Sequence, residues 1–302
     1  MKRGVSDGTV PATAVDARRQ LLNRLPVSGG KQKASPPVAE RYSMDLQLTG
    51  RRAIVTGGSR GIGLASARAL AAEGADVALV ARDKNVLDAA ADALASATGR
   101  QVIGVVADTG DSTSVAAMAR EVVERLGGAD ILVNAAANVN SGGFSEGSLG
   151  DEINVKVQGY LRTARAFAPH MIAQGWGRII NISGLAARQT GSVVGSVRNV
   201  AVAAMSKNLA DELGPKGVNV VTVHPGLTRT ERVDAMIAES SESRRVSAEA
   251  AERELAAKVS IGRLVTSQEV ASVVAFLASP LSIALNGDAL AAGGGALGAI
   301  HY

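Results

Sequence analysis

The sequence predicts an α/β fold, a doubly wound parallel sheet in a single domain, from three observations. Short, uncharged, β-branched runs recur along the chain, each the length of a buried strand. Helix-forming stretches rich in alanine alternate with them, the pattern that builds parallel sheets through helical crossovers. The first strand breaks into a glycine turn, Thr56-Gly57-Gly58-Ser59-Arg60-Gly61-Ile62-Gly63, which leads into a helix from Ala65 to Glu73. In that order these elements make a phosphate cradle. Glycines let backbone approach a pyrophosphate, and the helix start offers unpaired N–H groups with partial positive charge.

Taken in order, Asp76 to Ala81 is the second strand, Asn85 to Ala97 a helix, and Gln101 to Ala107 the third strand, closed by Asp108. A helix capped by Ser112 runs to Leu126 and feeds the strand Ala129 to Val133, which ends in Asn134-Ala135-Ala136-Ala137. Residues 138 to 150 are rich in Gly, Ser and Asn and read as a loop. A helix from about Asp151 to Gln174 carries Asn154 among apolar neighbours, and Gly177 to Ser183 is the fifth strand, with Ser183 at its tip. Val193 to Leu213 is a long helix and Val218 to Val223 the sixth strand, closed by His224-Pro225-Gly226. From 227 to about 259 the chain is charged, with an amphipathic helix from Ser247 to Lys258; an insertion there suits a substrate lid. A helix from Ser267 to Leu277 and a strand near Asp288 to Ala292 complete a Rossmann-type sheet, which binds ligands outside the carboxyl ends of its strands.

Of 302 residues, 46% are hydrophobic and only 2% aromatic, so the core is built from Ala, Val, Leu and Ile. The net charge of +4 is unevenly placed. Residues 1–43 hold eight basic and three acidic residues, leaving 24 basic and 25 acidic from 44 onward. Basicity confined to a Pro-, Gly- and Ser-rich tail argues against a nucleic-acid-binding fold. Residues 1–43 are read as a flexible extension, with Met44 as an alternative start, and 44–302 as the folded domain. With no cysteine, disulfides, thiolate nucleophiles and cysteine metal sites are excluded. His170, His224 and His301 lack ligand spacing, so no metal is expected. No run is long enough to span a bilayer, and the expectation is a cytoplasmic protein without membrane association.

The tip of the second strand discriminates between two dinucleotides. An acid there would hold a free ribose 2′-hydroxyl; the chain instead has Ala81-Arg82, with Arg60 in the glycine turn nearby. Two guanidiniums suit a 2′-phosphate, which favours NADP, with NAD as the alternative because Asp83 follows.

These motifs, in this order, resemble the short-chain dehydrogenase/reductase family, and within it the 3-oxoacyl-ACP reductases, across 46 to 297. The resemblance implies roles for individual residues. Gly57, Ser59, Arg60, Gly61, Ile62 and Gly63 match the family's TGxxxGIG turn, and Asp108 the acid that meets adenine. Asn134, Ala135 and Ala136 stand at its NNAG motif. Asn154 matches the asparagine that anchors a catalytic water, and Ser183 the catalytic serine. Pro225, Gly226 and Thr230 match the PG motif whose threonine holds the nicotinamide carboxamide. A small-molecule substrate and a homodimer or homotetramer are implied as well.

The family's proton-transferring tyrosine and the lysine that lowers its pKa are missing. Aligned through Leu209-Ala210-Asp211-Glu212-Leu213, their places hold Gly195 and Asn199, and the chain's tyrosines are Tyr42, Tyr160 and Tyr302. A phenol titrating near 10 needs a cation beside it to act near neutral pH. Asn199 can still bind a ribose hydroxyl but carries no charge. Three readings follow: a reductase with a non-standard proton donor, a dinucleotide binder or partner subunit without turnover, and a lyase or isomerase using Ser183 with Asn154 or Arg198. Retention of Ser183, Asn154 and Thr230 on the nicotinamide side favours the reductase.

Overall fold

The computed structural model describes residues 44–137 and 146–298. The extension 1–43, residues 138–145 of the expected loop, His301, Tyr42 and Tyr302 lie outside them. Seven parallel strands form the main sheet in the spatial order β3-β2-β1-β4-β5-β6-β9. They are β1 (Arg52–Thr56), β2 (Asp76–Ala81), β3 (Val102–Val106), β4 (Ile131–Asn134), β5 (Gly177–Ile182), β6 (Val218–Pro225) and β9 (Ala289–Ala292). A two-stranded pair, β7 (Thr228–Arg229) and β8 (Val265–Thr266), stands apart from it. Strand order reverses between β1 and β4, which opens the crevice where such sheets bind ligands.

Both faces of the sheet are covered. One cluster packs Val55, Leu79 and Val133 under α1 (Gly61–Ala72), α2 (Lys84–Thr98) and α9 (Ser267–Ala278), through Leu70, Leu87 and Val274. On the other face Ile54, Val80, Leu132 and Ile179 pack under α3 (Ser112–Leu126), α5 (Gly159–Ala173) and α6 (Val193–Leu213), through Met118, Phe167 and Leu213. Adjacent strand residues thus serve opposite faces, and the strands read as unbroken apolar runs because both faces are dry.

Three local features depart from the expectations. The cap of α3 is Asp111, whose carboxylate accepts from the backbone N–H of Thr113 and Ser114 at 2.6 and 3.2 Å; a carboxylate one residue earlier outcompetes the Ser112 hydroxyl. The helix expected over 151–174 is three segments: α4 (Glu146–Glu152), a π-helical turn (Ile153–Gln158) and α5. The charged segment after β7 contains α7 (Glu231–Arg244) in addition to α8 (Ala248–Ala256), with Ser247 capping the latter. Val233, Ile237, Ala251 and Leu264 give this helical pair a small core of its own.

A buried polar row crosses the sheet just below its carboxyl edge. Thr56, Asn134, Asn181 and Thr222 are register partners on β1, β4, β5 and β6. Asn134 Nδ2 donates to Asn181 Oδ1 at 2.9 Å, Asn181 Nδ2 to Ser206 Oγ at 2.8 Å, and Thr163 Oγ1 to Asn134 Oδ1 at 2.8 Å. Satisfied amides in a dry core fix which strand tips stand level. No described helix is long and apolar enough to cross a membrane.

Candidate active site

The glycine turn runs from the end of β1 into α1. Gly57 has φ +66°, and a Cβ there would come within 2.9 Å of the Ala135 and Ala136 backbone. Thr56 Oγ1 accepts from the N–H groups of both alanines at 3.2 and 3.3 Å, so the two strand tips are tied edge to edge. Gly61 has φ +54°, and a Cβ on it would sit 3.5 Å from the Thr230 methyl group. The cradle is therefore closed on one side by the residue that starts α7. Ile62 packs into the core behind the turn, and the first N–H groups of α1 face the crevice without a side-chain cap.

Beside the turn lies a cavity of about 570 Å³ whose walls include Gly57, Ser59, Arg60, Arg82, Asp108 and Ala136. Arg60 approaches Asp83 at 3.9 Å, with both side chains more than half exposed. Asp83 also caps α2 by accepting from Val86 N–H at 3.2 Å. It is thus held between a helix start and a guanidinium, and its charge is shared there. Asp108 Oδ1 accepts from Gly110 N–H at 2.8 Å on the opposite wall.

These contacts show where the side chains of two sequence-assigned residues lie. Asn134 is fully buried and its amide belongs to the row joining β1, β4 and β5; it shapes the site through the backbone it anchors and does not face the cavity. Asn154 Nδ2 donates to the Gly110 carbonyl at 3.2 Å and its Oδ1 accepts from Arg162 at 2.8 Å, beside Asp108. The same π turn carries Lys156, which faces the tip of β5.

Lys156 is 5% exposed, and its ammonium donates to the Ser183 carbonyl oxygen at 2.9 Å. Burial pulls its pKa down to about 8. One helical turn later Tyr160, also buried, donates to the Ile182 carbonyl at 3.0 Å, and burial pushes its phenol well up. Ser183 Oγ donates to the backbone oxygen of Asn199 at 3.0 Å. Asn199 is 2% exposed, and its Oδ1 is buried without a hydrogen-bond partner. A Cβ on Gly195 would meet Ser192 Oγ, from its own helix start, at 3.0 Å and Ala186, from the turn after β5, at 3.5 Å. Next to it, Arg198 forms an ion pair with Glu152 of α4. Among the described residues no group of acids and histidines is placed to hold a metal. The one signal for Lys156 in the sequence was a lysine between two valines in the helix expected from about Asp151 to Gln174.

The model of the short chain dehydrogenase family matches residues 51–241, and the chain belongs to that family. The short-chain reductase protein NovJ of Streptomyces niveus is 36% identical over 249 residues, covering 80% of this chain and 92% of that protein. The 3-oxoacyl-[acyl-carrier-protein] reductase FabG of Aquifex aeolicus is 30% identical, over 83% of this chain and 99% of its own length. Among solved structures, L-sorbose reductase from Gluconobacter frateurii, complexed with NADPH and L-sorbose, superposes with a TM-score of 0.82 at 30% identity, over 85% of this chain and 100% of that one.

Proposed function

We propose that the protein is an NADP-dependent oxidoreductase that interconverts a carbonyl and an alcohol at the tip of β5. The observation that carries this reading is the cavity at the switch point, which glycine backbone, Arg60, Arg82 and Asp108 line together. These residues fit a phosphorylated dinucleotide. The turn from Gly57 to Gly63 with the start of α1 takes the pyrophosphate, and Arg60 and Arg82 take the 2′-phosphate. Asp108 takes adenine, Ala135 and Ala136 line the ribose path, and Pro225, Gly226 and Thr230 border the nicotinamide. The buried, unpaired Oδ1 of Asn199 is an acceptor suited to a ribose hydroxyl. When bound, the nicotinamide supplies hydride. Ser183 orients the carbonyl oxygen through its hydroxyl, and the α7–α8 pair covers the substrate.

A second reading, binding without turnover, is favoured by one observation: Gly195 and Asn199 stand where the family has its proton-transferring tyrosine and lysine. One experiment separates the two. NADPH and NADH are titrated by fluorescence, and nicotinamide absorbance is then followed with a panel of ketones and quinones. The oxidoreductase reading expects tighter NADPH than NADH and oxidation with at least one carbonyl. Tight NADPH with no carbonyl reduced supports the binder. For assembly, Val193, Val197 and Val200 form an exposed apolar stripe along α6, the face we propose for a homodimer.

A further inference from the structure

A buried ammonium without a carboxylate is costly unless it is used. Lys156 meets that description. Of the ionisable groups on the elements packed around its π turn, those buried or held at that turn are Glu152 of α4, Arg198 of α6, and Tyr160 and Arg162 of α5. Glu152 and Arg198 pair with each other, Tyr160 donates to the Ile182 carbonyl, and Arg162 is held by Asn154, Thr109 and Ser112. None supplies a charge that offsets the burial of Lys156. An ammonium has three N–H donors, and its contact with the Ser183 carbonyl uses one. Across Ser183 stands Asn199, with a buried acceptor and no donor on it. Among the described residues, unused donors on Lys156 and an unused acceptor on Asn199 thus stand at Ser183.

We propose that Lys156 is the proton donor of the carbonyl reduction, a catalytic role assigned to the π turn of the α4–α5 segment. This rests on the reading of the site as a carbonyl reductase. Hydride forms the new C–H bond at the carbonyl carbon, and the π pair moves to oxygen. That oxygen takes a proton from Lys156 Nζ, and the neutral amine recovers its proton from solvent. In the reverse direction the neutral amine accepts the alcohol proton. The amide at 199 and the ammonium at 156 together divide what one lysine at 199 would do: Asn199 holds ribose, and Lys156 carries the charge.

The test uses the full chain and two cofactor redox states. A positive nicotinamide beside an ammonium is disfavoured, whereas the reduced ring is neutral, so the ratio of Kd for NADP+ to Kd for NADPH reports the charge on Lys156. The 2′-phosphate is common to both and cancels. As pH rises through about 8 the ammonium is lost and the ratio falls, by roughly fivefold or more between about pH 7 and 9.5. In Lys156→Gln and Lys156→Arg the ratio stays flat, because neither side chain titrates in that range. With a carbonyl that the wild type reduces, kcat falls as pH rises through the same range, and Lys156→Gln lowers kcat about 10²- to 10⁴-fold with NADPH affinity kept. A flat wild-type ratio, the same slope in Lys156→Gln, or unchanged kcat in that variant overturns the proposal. If Lys156→Gln does not fold, the wild-type ratio and Lys156→Arg still decide. A wild type that reduces no carbonyl overturns the reductase reading itself, a different result from turnover that ignores Lys156.

Discussion

A Cβ on Gly63 would stand 2.2 Å from the carbonyl oxygen of Gly57, so the first turn of α1 rests directly on the end of β1. Backbone cannot yield that distance to a methyl group without opening the cradle. Gly63→Ala is expected to lower stability by about 2 kcal/mol or more and to abolish NADPH binding. Gly61→Ala has room beside Thr230 but forces alanine into the left-handed region, at a cost of about 1–2 kcal/mol. Urea unfolding and fluorescence titration of the two variants give the comparison; equal losses would show that close packing at Gly63 is not the governing constraint.

The proposed 2′-phosphate preference is expected to divide among Arg60, Arg82 and Asp83. Arg60→Ala with Arg82→Ala is expected to weaken NADPH at least about tenfold more than NADH, since charge-assisted bonds are the stronger kind. Asp83→Asn keeps an acceptor for the Val86 N–H while removing the charge that pairs with Arg60. It should tighten NADPH relative to NADH at low salt, as binding titrations on the three proteins will register.

The amide of Asn134 serves the sheet. Truncation in Asn134→Ala leaves Asn181 Oδ1 without its donor in a dry core, while the Thr163 hydroxyl keeps the Gly159 and Tyr160 carbonyls; the expected cost is about 1–3 kcal/mol. Thermal denaturation should show the loss with NADPH and without it, and a loss confined to the NADPH-bound protein would place Asn134 in the cofactor contact after all.

Stability should also fall in acid through Asp130. Burial would raise its carboxyl pKa, but the hydrogen bonds from Arg52 and the charges of Arg52 and Arg51 outweigh it and hold the group below the usual range. A depressed folded pKa means that the stabilisation is present above the unfolded value near 4 and disappears as pH falls through the folded one. Asp130→Asn should lose about 1–3 kcal/mol at neutral pH and show a shallower acid limb below about pH 4. Urea midpoints against pH are the measurement; parallel curves for the two proteins would count against it.

Much of this was legible in the residues, and the rest was hidden for identifiable reasons. The strands β2 and β6 and the helices α3 and α6 follow from unbroken apolar runs and helical periodicity, and the structure places β2 on Asp76–Ala81 and α6 on Val193–Leu213 as expected. The glycine turn could be read because its close approaches demand glycine at fixed spacing. The partners of Asn154 were not legible because a π turn changes the phase of a helix without leaving a compositional mark. Asn134 was assigned to the cofactor because a polar residue at a strand tip looks the same in sequence whether it faces a ligand or a neighbouring strand. Lys156 escaped notice since a single lysine on a helix is ordinarily a solvated one, and only the contact with Ser183 reveals that it is enclosed.

The central claim, hydride transfer at the tip of β5, is tested most directly with NADPH deuterated at C4. The account predicts deuterium on the carbinol carbon of at least one product from a ketone and quinone panel, with the yield sharply reduced in Ser183→Ala. Tight NADPH binding with no label in any product, or labelling that Ser183→Ala leaves unchanged, would contradict it.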